Sequence, residues 1–199
     1  LPSSTIPSSF EWYCNRQTDP PLIILNQRCG FDINHQLFFA VLEKLQEHGI
    51  DFRLALMGEI FGKIPEEFIQ AQKIFGNKIV AFGYVPSRKE YINWLKRGTI
   101  VISTADQENF GMSVIEAMIM GCIPLLPNRL AYTEIRPEEL HKRFLYKNKY
   151  DLIEKLTQII SNVKAYDEIS IKLSRKMESF LWQNVAGDYD RILEQLSAL

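Results

Sequence analysis

Apolar residues along this chain follow two alternating patterns. Short unbroken runs, of which Leu22-Ile23-Ile24-Leu25 is the first, alternate with longer stretches whose apolar positions recur every three to four residues. An unbroken run suits a strand buried on both faces, and the longer spacing suits a helix with one face on a core. Residues 34–48 place Leu37, Phe38, Val41, Leu42 and Leu45 at helical spacing, with Gly49 as the stop. Residues 52–57 predict a strand ending at Gly58-Glu59, and 66–75 a helix ending at Gly76. Residues 78–82 predict a strand ending at Gly83, and 88–96 a helix ending before Gly98. Thr99-Ile100-Val101-Ile102-Ser103-Thr104 predicts a strand that feeds a helix ending near Gly121. Two more strands are expected at 123–126 and 143–146, and a helix at 150–163. Parallel strands require crossover connections, so this alternation predicts an α/β fold, a doubly wound, Rossmann-like parallel sheet.

Sheets of that kind hold ligands in the crevice at the carboxyl ends of their strands. The residues expected there are Arg28, Gly58, Glu59, Gly83, Tyr84, Thr104 and the loop 108–111. The most informative stretch is Glu108-Asn109-Phe110-Gly111-Met112-Ser113-Val114-Ile115-Glu116, where two carboxylates with seven residues between them bracket a Phe-Gly turn opening a helix. The first backbone N–H groups of a helix have no partner within it, so they suit an anion, and flanking carboxylates suit sugar hydroxyls. Taken singly, Gly58 and Gly83 read as ordinary turn glycines. The chain has no G-x-G-x-x-G fingerprint, no Walker A loop and no G-x-S-x-G elbow, which argues against dinucleotide, P-loop and α/β-hydrolase chemistry.

Composition narrows the picture further. A length of 199 residues suits one large α/β domain or a domain with a long tail, not two full domains, and 46% hydrophobic residues can build a proper core. The first twenty residues are rich in Ser, Pro and Thr and read as a linker or incoming arm. Net charge is −1, which demands neither a nucleic-acid nor a membrane partner. The basic cluster Lys142, Arg143, Lys147 and Lys149 reads as a solvated face. Cys14, Cys29 and Cys122 do not form a disulfide pattern and suit a reducing, cytoplasmic setting. His35, His48 and His141 match no metal-ligand spacing, so no metal is expected. No apolar run is long enough to span a membrane. The start Leu1-Pro2-Ser3-Ser4, without Met, reads as a piece of something longer.

The residues from Gly83-Tyr84-Val85-Pro86-Ser87 through Ser103-Thr104, Glu108-Asn109-Phe110-Gly111 and Glu116-Ala117-Met118 to Gly121-Cys122-Ile123-Pro124 resemble the carboxyl-terminal, donor-binding half of family 4 (group 1) retaining glycosyltransferases with the GT-B fold. Phe180-Leu181-Trp182-Gln183-Asn184-Val185-Ala186 with Tyr189 is similar to that family's closing helix, which crosses back to the amino-terminal domain. Gly58-Glu59-Ile60-Phe61, Ile64-Pro65, Arg88-Lys89-Glu90-Tyr91 and Tyr132-Thr133-Glu134-Ile135 extend the likeness to the tRNA-queuosine mannosyltransferase family. On this resemblance residues 1–20 form the linker or arm, 21–178 the nucleotide-sugar-binding domain and 179–199 the crossover helix. The donor would be a nucleotide sugar, GDP-mannose, with no further cofactor. The acceptor site would lie in an amino-terminal domain outside this chain, with queuosine in tRNA as the implied acceptor.

The resemblance also assigns roles. Arg28 would contact the donor diphosphate, with Gly58 and Glu59 nearby. The backbone at Gly83, Tyr84 and Val85 would hold the nucleobase. Glu108 would contact sugar hydroxyls beside Thr104 and Asn109, and the amides of Phe110, Gly111 and Met112 would meet sugar and phosphate. Glu116 would hold the ribose hydroxyls. Arg28 and Glu108 are thus the residues implied for catalysis. A guanidinium fits phosphate oxygens as a fixed fork, and a carboxylate accepts hydroxyl hydrogen bonds. One position departs from the pattern: Ile33 stands where the family places a second basic residue, commonly Lys. Leaving-group charge would then rest on Arg28, the helix N-terminus and some other group, for which Arg129 and Lys63 are distant candidates. Three rival readings are a sugar-nucleotide epimerase of the same fold, a non-catalytic nucleotide-sugar-binding module, and a scaffold that assembles through its tail helix.

Overall fold

The computed structural model describes residues 13, 16–60, 62–134 and 141–197. The strands are β1 (Leu22–Leu25), β2 (Arg53–Leu56), β3 (Ile79–Phe82), β4 (Ile100–Ile102), β5 (Ile123–Pro127) and β6 (Leu145–Tyr146). They form a six-stranded sheet in the order β3-β2-β1-β4-β5-β6, every neighbour parallel. The expected doubly wound, Rossmann-like sheet is the one observed. Along β1, Leu22 to Leu25 pair with Arg53 to Leu56 on one side, while Ile23 and Ile24 pair with Ile100 and Val101 on the other. Every residue of β1, β4 and β5 is buried, which explains their unbroken apolar runs.

The helices are α1 (His35–Glu47), α2 (Glu66–Phe75), α3 (Arg88–Arg97), α4 (Met112–Ile119), α5 (His141–Phe144), α6 (Lys149–Ser161), α7 (Asp167–Met177) and α8 (Trp182–Ser197). One layer packs α1 against α2 and α6, and the other packs α4 against α3 and α7. Side-chain caps fix several starts: Asn34 accepts from Leu37 N at 2.9 Å, Ser87 from Glu90 N at 3.3 Å, and Asn148 from Tyr150 N and Asp151 N. Among the described residues no helix is long and apolar enough to cross a membrane.

Two elements differ from the sequence reading. The strand expected over 143–146 is only Leu145–Tyr146, because His141–Phe144 is helical. Only two register positions exist there, Leu126 with Leu145 and Pro127 with Tyr146, so Arg143 and Phe144 have no ladder to join. Helix α7 is not anticipated, because its buried stripe is Ser170, Leu173, Ser174 and Met177, half of it polar. The serines serve close packing: Ser174 Oγ donates to Ile119 O at 2.5 Å, which fastens α7 to the end of α4.

The tail is helical as expected, and its apolar stripe divides. Leu181 is buried and Phe180 packs against the core, whereas Tyr189, Ile192, Leu193 and Leu196 are exposed.

The described part of the incoming arm is anchored to the domain. Arg16 donates to Lys96 O at 3.0 Å, Gly121 O at 3.0 Å and Met120 O at 2.5 Å, which occupies carbonyls that end α3 and α4. Tyr13 is buried, donates to Asp167 Oδ1 at 3.2 Å and lies under the Arg16 guanidinium. Gly121 has φ +75, and a Cβ there would come within 2.6 Å of the Tyr13 ring, so the glycine allows both the turn and the arm. Arg16→Ala leaves these carbonyls without their donor, and a loss of about 2–4 kcal/mol of stability is expected in chemical denaturation. Arg16→Lys recovers only part, because a point charge cannot span three carbonyls. Unchanged stability of the alanine variant would show the arm to be energetically idle.

Candidate donor crevice

Strand order reverses between β1 and β4, because the chain winds outward from β1 in one direction and from β4 in the other. The loops leaving these two carboxyl ends therefore face each other with no helix between them. Backbone hydrogen bonds stitch them together: Asp106 N and Gln107 N donate to Asp32 O at 2.7 and 3.3 Å, and Asn34 N donates to Thr104 O at 3.1 Å. Ile33 bridges Ala105 in the same seam and is 5% exposed. The position expected to carry a second cation is thus an apolar fastening. On the other side Cys29 N donates to Glu59 O at 2.8 Å, joining the β1 and β2 loops. Gly58 belongs to this junction, because a Cβ there would lie 2.1 Å from Gln27 O.

Glu108 is held from three directions. Its Oε2 accepts from Gln27 Nε2 at 3.3 Å and from Tyr132 OH at 3.5 Å, and its Oε1 accepts from Phe110 N at 3.3 Å. Tyr132 is fully buried, receives Gln27 Nε2 at 3.2 Å and pairs with Ser103 Oγ at 2.8 Å. Burial above all, with the Glu108 charge behind it, pushes the Tyr132 phenol well above its ordinary value, so it stays protonated. Gly111 opens α4 at φ +83, and a Cβ there would come within 2.9 Å of the Tyr132 ring, so the Phe-Gly turn needs its glycine twice over. Phe110 rests edge-on against Phe180, with ring centroids 5.3 Å apart. Met112 and Asn109 are exposed beside it.

Beside this seam lies an open crevice of about 310 Å³. Arg28, Glu59, Tyr84, Val85, Arg88 and Tyr91 line it, along with Asn26. Arg28 is mostly exposed and pairs with Asp32 at 2.8 Å. Gly83 turns the chain into Tyr84 at φ +90. Glu116 does not line the crevice itself. Its Oε1 accepts from Arg88 Nη2 at 2.9 Å and its Oε2 from Tyr91 OH at 2.7 Å, both reaching over from α3. Asn26 Nδ2 donates to Tyr91 OH at 2.9 Å and to Ser113 O at 2.7 Å. Three buried side-chain oxygens at the ends of β1 and β4, Asn26 Oδ1, Gln27 Oε1 and Thr104 Oγ1, have no hydrogen-bond partner among the described residues. Unpaired buried acceptors are costly, and ligand hydroxyls would satisfy them.

Arg28, Glu59, Tyr84 and Val85 thus share one crevice. Thr104, Glu108, Phe110, Gly111 and Met112 lie on the chain that leaves β4 and are not among the crevice's lining residues, and Glu116 connects through Arg88 and Tyr91. Arg129 is diverted, since its guanidinium donates to Ala105 O at 2.9 Å and pairs with Asp106 at 2.5 Å. Asn26, Gln27, Arg88, Tyr91 and Tyr132 receive no role in the sequence reading, although Arg88, Tyr91 and Tyr132 stand in stretches that carry the family likeness. The first two directly follow a predicted strand and were open to the positional rule that picked out Arg28, whereas nothing local marks Tyr132. Among the described residues no three His, Cys, Asp or Glu side chains converge as metal ligands. Tyr132→Phe removes the hydroxyl joining Ser103, Gln27 and Glu108. It is expected to cost about 1–2 kcal/mol of stability and to speed amide exchange at Phe110 and Gly111. Unaltered exchange at those two amides would mean that Glu108 is placed by its loop alone.

Comparison with known proteins agrees with this fold. Residues 13–176 match the family of glycosyl transferases group 1. A tRNA-queuosine alpha-mannosyltransferase of Drosophila melanogaster is 42% identical over 134 residues, which is 67% of this chain and 34% of the fly protein. The chain therefore spans about a third of the length of that relative. The catalytic domain of cholesterol-alpha-glucosyltransferase from Helicobacter pylori superposes with a TM-score of 0.65 at 22% identity, covering 81% of this chain and 99% of that one. Sucrose-phosphate synthase from Thermosynechococcus elongatus gives a TM-score of 0.79 at 15% identity, over 98% of this chain and 50% of that one. At such identities the two structures speak for the fold alone. With the family match covering most of its length, the chain belongs to the group 1 glycosyl transferases.

Proposed function

We propose that this chain is the donor-binding half of a retaining glycosyltransferase that moves mannose from GDP-mannose to an acceptor, queuosine in tRNA, held by another part of the full-length protein. The observation that carries the reading is the meeting of the Arg28 loop and the Glu108 loop at the reversal of the sheet, beside the first turn of α4. A diphosphate laid there has Arg28 on one side and the amides opening α4 on the other. Cleavage of the bond between the anomeric carbon and the diphosphate oxygen leaves its electron pair on the diphosphate, and those groups take up the charge. Glu108, aligned by Gln27 and Tyr132, is set to accept hydroxyl hydrogen bonds from the sugar. The name of the fly relative supports mannose and the tRNA acceptor, and the fraction of that protein covered supports a separate acceptor region. A non-catalytic binding module is the second reading, favoured by one observation: Ile33 is a buried fastening and not a cation.

Among the described residues Arg28 pairs only with Asp32, at the surface, an interaction of little worth that an incoming phosphate can replace. Arg28→Ala is expected to weaken GDP binding by about 2 kcal/mol more than guanosine binding in calorimetry. Equal losses for the two ligands would make Arg28 structural. Glu108→Gln should leave GDP affinity near wild type while lowering mannosyl transfer by the full-length protein roughly 100-fold. Transfer that survives this change would remove Glu108 from the sugar site. A wild-type full-length protein that binds GDP-mannose and transfers nothing would establish the binding module instead.

A further inference from the structure

A second cluster of polar side chains lies at the β6 edge of the sheet. Residues 142–164 carry six basic side chains against two acidic ones, whereas the whole chain has a net charge of −1. Lys142, Arg143, Lys147 and Lys149 are exposed, and none of them forms an ion pair among the described residues. The carboxylates around them are engaged elsewhere. Asp151 pairs with Lys155 and accepts from Lys147 N at 2.8 Å, Glu154 accepts from Gln158 Nε2 at 3.2 Å, and Glu47 of α1 pairs with Lys44 at 2.7 Å. Lys142 and Arg143 border a groove of about 490 Å³ that Lys155, Gln158 and Tyr166 also line. Tyr150, next to Lys149, is 81% exposed. The basic cluster read from the sequence as a solvated face therefore combines a groove, exposed cations and a bare aromatic ring. Its place is fixed relative to the donor crevice. Lys147 directly follows β6, at the same end of the sheet as Arg28 after β1 and the Glu108 loop after β4. Strand β6 is two strands from β4, roughly 10 Å along the sheet. Tyr146 OH donates to Ser103 O at 2.9 Å, which ties the end of β6 to the end of β4.

We propose that this face docks the sugar–phosphate backbone of the RNA acceptor, with Lys142, Arg143, Lys147 and Lys149 on successive phosphates; the docking rests on the tRNA reading given above. An RNA uses every feature of the face. Its phosphates meet the cations, and an unpaired base has a π-face for the Tyr150 ring. An acidic protein surface would use the cations and leave the ring unmatched. The shared edge also fits, because an RNA whose reacting nucleoside sits by the Glu108 loop needs only about 10 Å to bring its backbone to Lys147. Contacts to phosphate carry no sequence information, so this face positions the acceptor and leaves its choice to the groups around the reacting nucleoside.

The test is fluorescence anisotropy of a labelled tRNA anticodon stem–loop with the 199-residue chain, from about 50 to about 200 mM salt. Four phosphate contacts give a slope of about −3 in log affinity against log salt, a loss of roughly 50- to 150-fold over that range. Lys142→Ala combined with Arg143→Ala is expected to weaken RNA binding at least about fivefold at low salt and to bring the slope to about half, with GDP binding unchanged. Lys172→Ala combined with Lys176→Ala removes the same charge from α7, in the opposite layer, and is expected to change RNA affinity less than about twofold. Thermal melting establishes that the variants are folded, and if the first pair is not, Lys147→Gln combined with Lys149→Gln carries the comparison with the same threshold. Equal losses in the α5 and α7 pairs, or no loss in the first, overturn docking at this face. Poly-glutamate that competes as well as unlabelled RNA at equal charge assigns the face to an acidic protein and overturns it too. A chain that binds GDP and no RNA at low salt overturns the proposal and leaves the donor site standing. Binding of RNA without GDP does the reverse.

Discussion

The reversal of winding between β1 and β4 is the constraint on which the site depends. Two parallel strands side by side release their chains toward opposite edges of the sheet, so no crossover helix can roof the gap between their carboxyl ends. The gap must be closed by loop backbone, and loop backbone needs its own partners. Here the partners come from the loops themselves: Asp32 O, Thr104 O and Glu59 O accept across the seams, with Ile33 buried between them. The Arg28 and Glu108 loops are consequently one rigid rim, although seventy-nine residues lie between those two side chains in the sequence.

Within that rim the two cations are held differently. Arg28 and Asp32 form an exposed pair, which screening and side-chain entropy make weak, so an anion can take Asp32's place at little cost. Arg88 and Glu116 form a more enclosed pair, backed by Tyr91 and Asn26, and breaking it would strand a partly buried carboxylate. One guanidinium is exchangeable and the other is structural to its surroundings.

Helix α4 links the site to the remainder of the domain. Its first turn opens at the crevice through Gly111, and its last carbonyls are occupied by Arg16 from the arm and Ser174 from α7. Arg16 is desolvated there, which lowers its pKa, yet it has carbonyl oxygens to satisfy it. With both ends fixed, the helix presents its N-terminal amides in one orientation. Preorganised donors of this kind cost no rearrangement when charge develops on a leaving group.

The sequence by itself determined the parallel α/β architecture. Runs such as Leu22-Ile23-Ile24-Leu25 can be buried only on both faces, and the helical stripes between them supply the cover. It also placed Arg28, Tyr84, Thr104 and Glu108 beyond the carboxyl ends of the strands, because strand ends are legible wherever a run breaks. Helix α7 was not legible, since its stripe is built of Ser170 and Ser174 as much as Leu173 and Met177, and small polar residues register as packing only when α4 is seen against them. The same holds for Arg88, Tyr91, Gln27 and Tyr132. Nothing in their local sequence says that a carboxylate twenty-eight residues away will need a guanidinium, or that a phenol from beyond β5 will hold Glu108. Periodicity reports which face of an element is buried, and it carries no information on which side chains of distant elements meet. Those meetings, and with them the different holding of Arg28 and Arg88, were decided by the tertiary structure, because hydrogen bonds and ion pairs depend on distances that only the folded chain sets.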